Sequence, residues 1–326
     1  MKVDNMDTFG KQFRVSVFGE SHGVAVGALI DGVPAGLPLS ESDFEKDISR
    51  RAARGGFTSE RKEVDTPHIL SGVFDGHTTG APLCVVFRNS DVHSSDYDFL
   101  PSTPRPGHAD YPAHIKFDGF EDYRGGGHFS GRLTLPIVAA GVVAKKVIGS
   151  AVDIRAEVCE LAGSRERENW QRLLEAARAE GDSLGAVVSC HVDGLPIGLG
   201  EPFWDGMESL LSHAVFSIPG VRGIEFGDGF EAARMRGSQH NDPIGPEGPV
   251  KNGSGGINGG LTNGASLCFR VAFKPTSSIS KPQTTFNFEK ECEQSLSVGG
   301  RHDVCFALRA PVVVEAMCAI VLADLL

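Results

Sequence analysis

Apolar residues along the chain gather into runs of two lengths, and each length predicts a different element. Short runs rich in Val, Ile and Phe, bounded by Gly, Pro, Asn or Asp, predict strands at 13–21, 23–32, 81–90, 152–161, 185–194 and 266–277. Longer runs predict helices. Residues 40–53 open with Ser40 and Asp43, a capping-box pattern that places carboxylates at the positive end of the helix dipole. In 164–180, Trp170, Leu173, Leu174 and Ala177 recur at i, i+3, i+4 and i+7, an amphipathic face. Residues 134–148 are apolar nearly all round until Lys145, which predicts a buried helix, and the C-terminal "PVVVEAMCAIVLADLL" predicts another.

Two stretches echo each other. "DGVPAGLPL" from Asp31 and "DGLPIGLGE" from Asp193 share Asp-Gly-x-Pro-x-Gly-Leu, each after a strand containing Gly-Ala and before a helix-like run. The echo reads either as chance in a Gly- and Pro-rich chain or as a pseudo-repeated strand–turn–helix unit. No Pro/Ser linker or charge block divides the sequence. The expected architecture is therefore α/β in the layered, α+β sense: a β-α-β sandwich with an internal pseudo-repeat, one domain over residues 1–326. The glycine-rich segment 241–264 reads as a surface loop or as a backbone wall against a ligand.

Charge narrows the partners. The formal net charge of −11 argues against nucleic acid or an anionic membrane as the main partner, so an anionic ligand needs locally gathered cations. Seven dispersed cysteines without a Cys-x-x-Cys pair read as reduced thiols. The N-terminus lacks the apolar core of a signal peptide, and the longest uncharged apolar run, 133–144, is too short to span a bilayer. A cytoplasmic location is expected.

Cations do gather. Lys46, Arg50, Arg51, Arg54, Arg61 and Lys62 stand against only Asp47 and Glu60 in residues 46–62, a solvated helix face or a carboxylate- and phosphate-binding strip. "YRGGGHFSGR" (123–132) brings Arg124, Ser130, Arg132 and three consecutive glycines to the start of a predicted helix, where bare backbone N–H groups suit an anion. It matches neither a Walker loop nor a dinucleotide fingerprint. "KPTSS" (274–278) adds a lysine and three hydroxyls at a strand end. His22 in "GESHG" and His108 in "RPGHAD" sit in Gly-flanked turns, either as structural rings or as proton carriers at a cavity rim. No His-Glu-x-x-His or Cys/His ligand spacing appears, so no metal is expected. Ser21 has Gly-x-Ser-x-Gly spacing, which keeps a serine-dependent hydrolase of a phosphorylated or carboxylated small molecule as the rival reading. The residues alone imply an enzyme with a basic, glycine-rich pocket for a polyanion and histidine proton chemistry.

Ten blocks carry a resemblance: "FGESHG", "DGVPAGLPL", "RPGHADY", "DYRGGGHFSGR", "GDSLGAVV", "GLGEP", "SIPGVRGIEFGDGF", "GGINGGLTNG", "FKPTSSI" and "GRHDVC". In this order and over nearly the whole chain they resemble the chorismate synthase family. The resemblance implies that family's fold and a carbon–oxygen lyase acting on phosphates. The reaction is 1,4-elimination of phosphate from 5-enolpyruvylshikimate 3-phosphate to give chorismate, the last step of the shikimate pathway that feeds aromatic amino acid biosynthesis. It implies reduced FMN, with no net redox change, and NADPH as an indirect reductant through a separate flavin reductase. It implies a cytoplasmic homotetramer.

By the same resemblance His22 donates a proton toward the departing phosphate, His108 protonates or hydrogen-bonds the reduced flavin, and Asp303 handles the proton near flavin N5. Flavin contacts carry over to His128, Phe129, Ser130, Pro219, Gly220, Gly259, Lys274, Pro275, Thr276, Ser277, Ser278 and Arg301. The substrate or NADP region carries over to Arg51 and Arg54, beside Arg124 and Arg132. The chain departs from the family pattern at His128, where arginine is usual, and at "RRAARGG", one residue short, which loosens the assignment of Arg54. Asn258 replaces an aliphatic residue and Val304 a proline.

Overall fold

Alternating burial decides which face of each strand meets the core. Val26, Ala28 and Ile30 point inward from one strand, Leu83, Val85 and Phe87 from its neighbour, and Leu267, Phe269, Val271 and Phe273 from a third. The computed structural model describes residues 7–52, 57, 65–90, 97–299 and 303–326. Its main strands are β1 (Thr8–Phe9), β2 (Arg14–Gly19), β3 (Ala25–Asp31), β4 (His68–Ser71), β5 (Leu83–Arg88), β6 (Asp153–Leu161), β7 (Ala186–Asp193), β8 (Val221–Phe226) and β9 (Leu267–Phe273). They form two sheets, ordered β1-β2-β3-β5-β4 and β8-β9-β7-β6. Every pairing in both is antiparallel, so the chain is mixed α and β without the parallel sheet of a wound α/β fold.

The helices are α1 (Glu45–Arg51), α2 (Asp110–Lys116), α3 (Thr134–Ile148), α4 (Trp170–Ala179), α5 (Met207–Phe216) and α6 (Pro311–Leu325). The two all-apolar runs do become buried helices. Leu135 through Ala144 of α3 and Val312 through Asp324 of α6 are all buried. They pack on each other between the sheets, α3 against β3 and α6 against β6 and β7. Their approach is close enough that a Cβ on Gly141 would lie 2.4 Å from the Ala316 side chain.

The two echoed stretches occupy matching places. Each leaves a strand at its aspartate (β3 and β7), and the four strands around each run in the same order, β2-β3-β5-β4 and β6-β7-β9-β8. Gly32 and Gly194 both have φ of 84°, and Gly36 and Gly198 both have 87°. A Cβ at Gly32 would meet the Gln12 carbonyl at 1.8 Å, and one at Gly194 the Ala151 carbonyl at 2.0 Å.

Several elements differ from the sequence expectation. Residues 40–53 split into a 3-10 turn, Glu41–Phe44, and α1, with the Ser40–Asp43 capping box formed. The strand expected at 266–277 ends at Phe273, where Lys274 and Pro275 leave the sheet. Strands β4 and β8 and helix α2 arise where no element was expected, because their periods are short and interrupted by glycine or polar residues.

Charge is also buried in the helix layer. Glu315 near the start of α6 accepts two hydrogen bonds from Arg50 at 2.7 Å each, one from Lys145 at 3.0 Å and one from the Ala156 N–H at 3.0 Å. Asp47 joins through Lys145 at 2.7 Å and Arg50 at 3.2 Å. Burial opposes ionisation of Glu315, but Arg50, Lys145 and the Ala156 amide outweigh it and hold its pKa below the usual carboxylate range. Replacing Glu315 by alanine leaves two cations without their shared partner and should cost about 3 kcal/mol in a denaturant titration. Because the folded pKa lies below the unfolded one, this contribution is present above the ordinary carboxylate pKa. It is lost as pH falls through the folded value, so the difference between Glu315→Ala and the parent should shrink on acidification.

Candidate active site

Between the helix layer and the sheet ends lies a cavity of about 1130 Å³. Its charged lining is Arg51, Arg105, Arg132, Arg222, Lys274 and Arg309 against Asp7, Asp65 and Asp303. Six cations against three carboxylates make a positive chamber inside a protein of net charge −11.

The triple glycine organises it. Gly125, Gly126 and Gly127 have φ of 61°, 83° and 53°, a region closed to most side chains. A Cβ on Gly125 would lie 2.5 Å from the His22 ring, and one on Gly126 would lie 3.2 Å from the His108 ring. The bare backbone is thus the surface on which both imidazoles rest. The Ser21 N–H donates to the Gly127 carbonyl at 3.1 Å, tying the His22 turn to the loop. Asn89 closes that turn, donating to the carbonyls of Glu20 and Gly23 at 3.0 and 2.9 Å. The same amide accepts from Arg132 at 3.0 Å. His22 also meets Tyr97 edge to face, with centroids 5.3 Å apart.

His108 is oriented by its own segment. Its Nδ1 lies 2.5 Å from the Asp110 carboxylate, which also receives Arg105 through Nε and an NH2 group at 2.7 Å each. Arg105 in turn donates to Ser278 at 3.0 Å. Burial is the main influence lowering the His108 pKa. Asp110 opposes it, while the charges of Arg105 and Lys274 reinforce it. Asp110 itself is held well below the usual carboxylate range: burial would raise it, but Arg105 and His108 prevail. An Arg105 NH2 group also lies 3.0 Å from Nδ1 and 3.3 Å from Nε2. With Asp110 on Nδ1, the neutral tautomer carries its proton there and its lone pair on Nε2.

On the opposite wall Asp65 bridges Arg51 at 3.3 Å and Arg132 at 2.5 Å, all three side chains nearly buried. Arg51 also donates to Thr134 at 2.9 Å and to the Gly131 carbonyl at 3.2 Å. Lys274 donates to Gly107 O and, at 2.6 Å, to Ser277; burial first, then Arg222 and Arg105, lowers its pKa. Asp303 accepts from Arg309 at 2.5 Å. His128 has Nδ1 2.8 Å from the Gly19 carbonyl and Nε2 3.4 Å from Asp7, so both ring nitrogens face oxygen. The apolar part of the wall is Ile137, Phe273, Phe306, Val313, Met317 and Ile320.

The chain matches the chorismate synthase family model over residues 13–326. It is 56% identical to the chorismate synthase of Chitinophaga pinensis over 321 residues, 98% of this chain and 96% of that one. It is 46% identical to that of Korarchaeum cryptofilum, covering 98% and 96%. A crystal structure of a chorismate synthase superposes with a TM-score of 0.73 at 28% identity, covering 97% and 92%. The chain belongs to the chorismate synthase family.

Its activity is that of the chorismate synthases: a lyase of the shikimate pathway and aromatic amino acid biosynthesis, it converts 5-enolpyruvylshikimate 3-phosphate to chorismate. The family depends on reduced FMN.

Of the chorismate synthase positions carried over by resemblance, His22, His108, Asp303, Arg51, Arg132, His128 through Ser130, Pro219, Gly220 and Lys274 through Ser278 all line the cavity. Arg54 and Arg301 lie outside the described residues. Two of the expected positions lie outside that lining. Arg124 is not in the lining, because Asp122 folds it back through hydrogen bonds at 2.8 Å from Nε and an NH2 group. Gly259 is not in the lining either; it sits in the turn between Ile257–Asn258 and Leu261–Thr262, and no part of the glycine-rich segment 241–264 reaches the cavity. Arg105, Asp110, Asp65, Asn89, Tyr97, Arg222 and Arg309 were not singled out from sequence. Arg105 and Asp110 flank His108 within five residues and were the most readable of these.

The rival hydrolase reading meets an obstacle in the fold. A nucleophile elbow joins a strand to a helix, whereas Ser21 lies in the turn between antiparallel strands β2 and β3 and is 1% exposed. Gly125→Ala tests the glycine constraint directly. The added methyl would lie 2.5 Å from the His22 ring, and a displacement of about 1 Å should lower turnover about 100-fold while circular dichroism shows the fold retained.

Proposed function

We propose that His22, His108 and Asp303 carry the proton work of the chorismate synthase reaction in this cavity, with reduced FMN bound beside the substrate. The observation that carries the reading is the pair of imidazoles set on adjacent glycines at the rim of one cation-lined cavity.

FMN needs a flat apolar wall, polar contacts at its ring edge and a place for its phosphate. Phe273, Phe306, Val313 and Met317 supply the first, and Pro219, Gly220 and Thr276 through Ser278 supply backbone and hydroxyl groups. Lys274, Arg222 and His128 are candidates for the phosphate. A volume of about 1130 Å³ exceeds what one small ligand fills, which suits a flavin and a substrate together. When bound, reduced FMN supplies an electron-rich ring that assists C–O cleavage and a nitrogen that takes the C6 hydrogen.

The elimination breaks the bond between C3 and the phosphate oxygen and removes hydrogen from C6, giving chorismate and inorganic phosphate with no net oxidation. His22 donates a proton to the departing phosphate oxygen, and Arg51 and Arg132, braced by Asp65, bind the substrate's anionic groups. His108 presents Nε2 to the flavin edge. Each anion that enters favours its protonated form, opposing the burial and the cations that lower its pKa. Asp303, oriented by Arg309, accepts the abstracted proton.

The same reading makes residues 1–326 one domain built from a pseudo-repeated β-α-β half, assembled as a homotetramer in the cytoplasm, with NADPH acting only through a separate flavin reductase. The matched strand orders support the repeat. The exposed side chains of Phe203, Trp204, Phe230 and Ile244 support assembly.

Anaerobic turnover of 5-enolpyruvylshikimate 3-phosphate with dithionite-reduced FMN, followed by chorismate absorbance, is the test. Wild type should form chorismate only with reduced flavin, and His22→Ala should lose about two or more orders of magnitude in kcat. Undiminished turnover by His22→Ala, or turnover independent of flavin, would overturn the assignment.

A further inference from the structure

Behind His108 lies a second chamber of about 20 Å³ that shares His108, Ala109 and Phe129 with the wall of the main cavity. His108, Asp110, His114, Glu121, Asp122, Tyr123 and Gly126 contribute to its wall, so it touches the back of the His108–Asp110 pair and the backbone on which His108 rests. Leu100, Pro101, Ala109, Ala113 and Phe129 complete the wall. The volume is that of a single water, and the carboxylates of Asp110 and Glu121 are the polar partners that would hold it. Glu121 faces it from the loop after α2. Its Oε1 lies 2.9 Å from His114 Nδ1. Its Oε2 is shielded from solvent, and no protein group among the described residues reaches it. A buried carboxylate oxygen without a partner costs free energy unless something donates to it.

We propose that this chamber holds one ordered water donating to Glu121 Oε2, and that the His114–Glu121 pair acts through it as a positioning unit for Asp110 and His108. The inference rests on the assignment of His108 to the reaction. The water donates to Glu121 and to Asp110 or its neighbouring backbone, adding a second negative group behind the ring. His114 is 44% exposed in its side chain, so the unit reaches bulk solvent from the side opposite the substrate. His108 can then exchange protons with solvent while ligands fill the front of the site. The other charges facing His108 are Arg105 and Asp110 from its own segment and Lys274 from the loop after β9. Across the triple glycine stand His22 and the Asp122–Arg124 pair. None of these changes in the variants below.

The test is an NMR titration of ring-labelled histidines in the full ligand-free chain, with the His108 signal assigned by His108→Asn. Glu121→Gln keeps the shape and removes the charge, and should lower the His108 titration midpoint by about half a unit or more. Glu121→Asp should restore most of the shift. A His108 titration unmoved by Glu121→Gln, whether or not stability falls, makes Glu121 merely structural and overturns the proposal. Should the glutamine variant fail to fold, a high-resolution crystal structure of the parent decides. One water on Glu121 Oε2 upholds the proposal, and a dry chamber overturns it. Failure of the chorismate assay with a normal His108 shift would instead count against the role given to His108.

Discussion

Everything in the site depends on three successive residues without side chains. Gly125, Gly126 and Gly127 turn the chain through positive φ angles, and the space their Cβ atoms would occupy is taken by His22, His108 and the Asp122 carbonyl. The loop therefore acts as a spacer of fixed thickness between two rings that come from distant segments. His22 is brought by the turn between β2 and β3, His108 by the turn before α2, and neither contacts the loop through a long side chain that could adjust. Backbone supplies rigidity that side chains could not, since each glycine is held by its own φ and by the ring or carbonyl against it.

Around that spacer, charge is arranged so that each cation is oriented but not neutralised. Asp65 is shared by Arg51 and Arg132, and Asp110 is shared by Arg105 and His108. Sharing matters because a buried guanidinium needs an oxygen partner, while an anion-binding cavity needs a surplus of positive charge. One carboxylate between two cations meets both demands. The surplus is local, which is how an acidic protein can attract a substrate carrying a phosphate and two carboxylates. With burial, that surplus also lowers the His108 pKa, and an anion beside the ring favours its protonated form.

The fold was legible in the sequence where burial is total or alternation is clean. The all-apolar runs at 134–148 and in the last sixteen residues could only be core helices, and they are α3 and α6. Strands such as β7 and β9 carried unbroken alternation. Strand β8 did not: Gly223 and Glu225 interrupt it, and its pairing with β9 shifts register between Val221 and Gly223. The site was legible by resemblance for residues inside long motifs and opaque for residues that matter through their partners. Asp65 and Asn89 look like ordinary loop positions, and only the fold brings them to Arg132. Arg124 was read from composition as a pocket cation, and in the fold it is paired locally with Asp122, two residues earlier. The glycine-rich segment 241–264 likewise invited a ligand. Its glycines serve packing: Gly255 and Gly256 approach the backbone of Gly227 and Leu267 too closely for a Cβ.

The position of the cavity follows from the two sheets and the helices between them. The first set of strands and its helix supply His22, Arg51, His108 and Arg132; the second supplies Pro219, Arg222, Lys274 through Ser278, Asp303 and Met317. Neither half encloses the chamber alone, because Val313, Met317 and Ile320 of its apolar wall come from α6 while its two histidines come from segments before α3. The halves are held in register by Glu315 of α6, which binds Arg50 of α1 and Lys145 of α3 in the core. Arg50 is followed directly by Arg51, so the buried network that locks α1 in place also sets where the neighbouring guanidinium enters the cavity. Helix packing and substrate binding therefore share one anchor. A core charge that would be costly as a source of stability alone becomes intelligible as the device that fixes the register of the site.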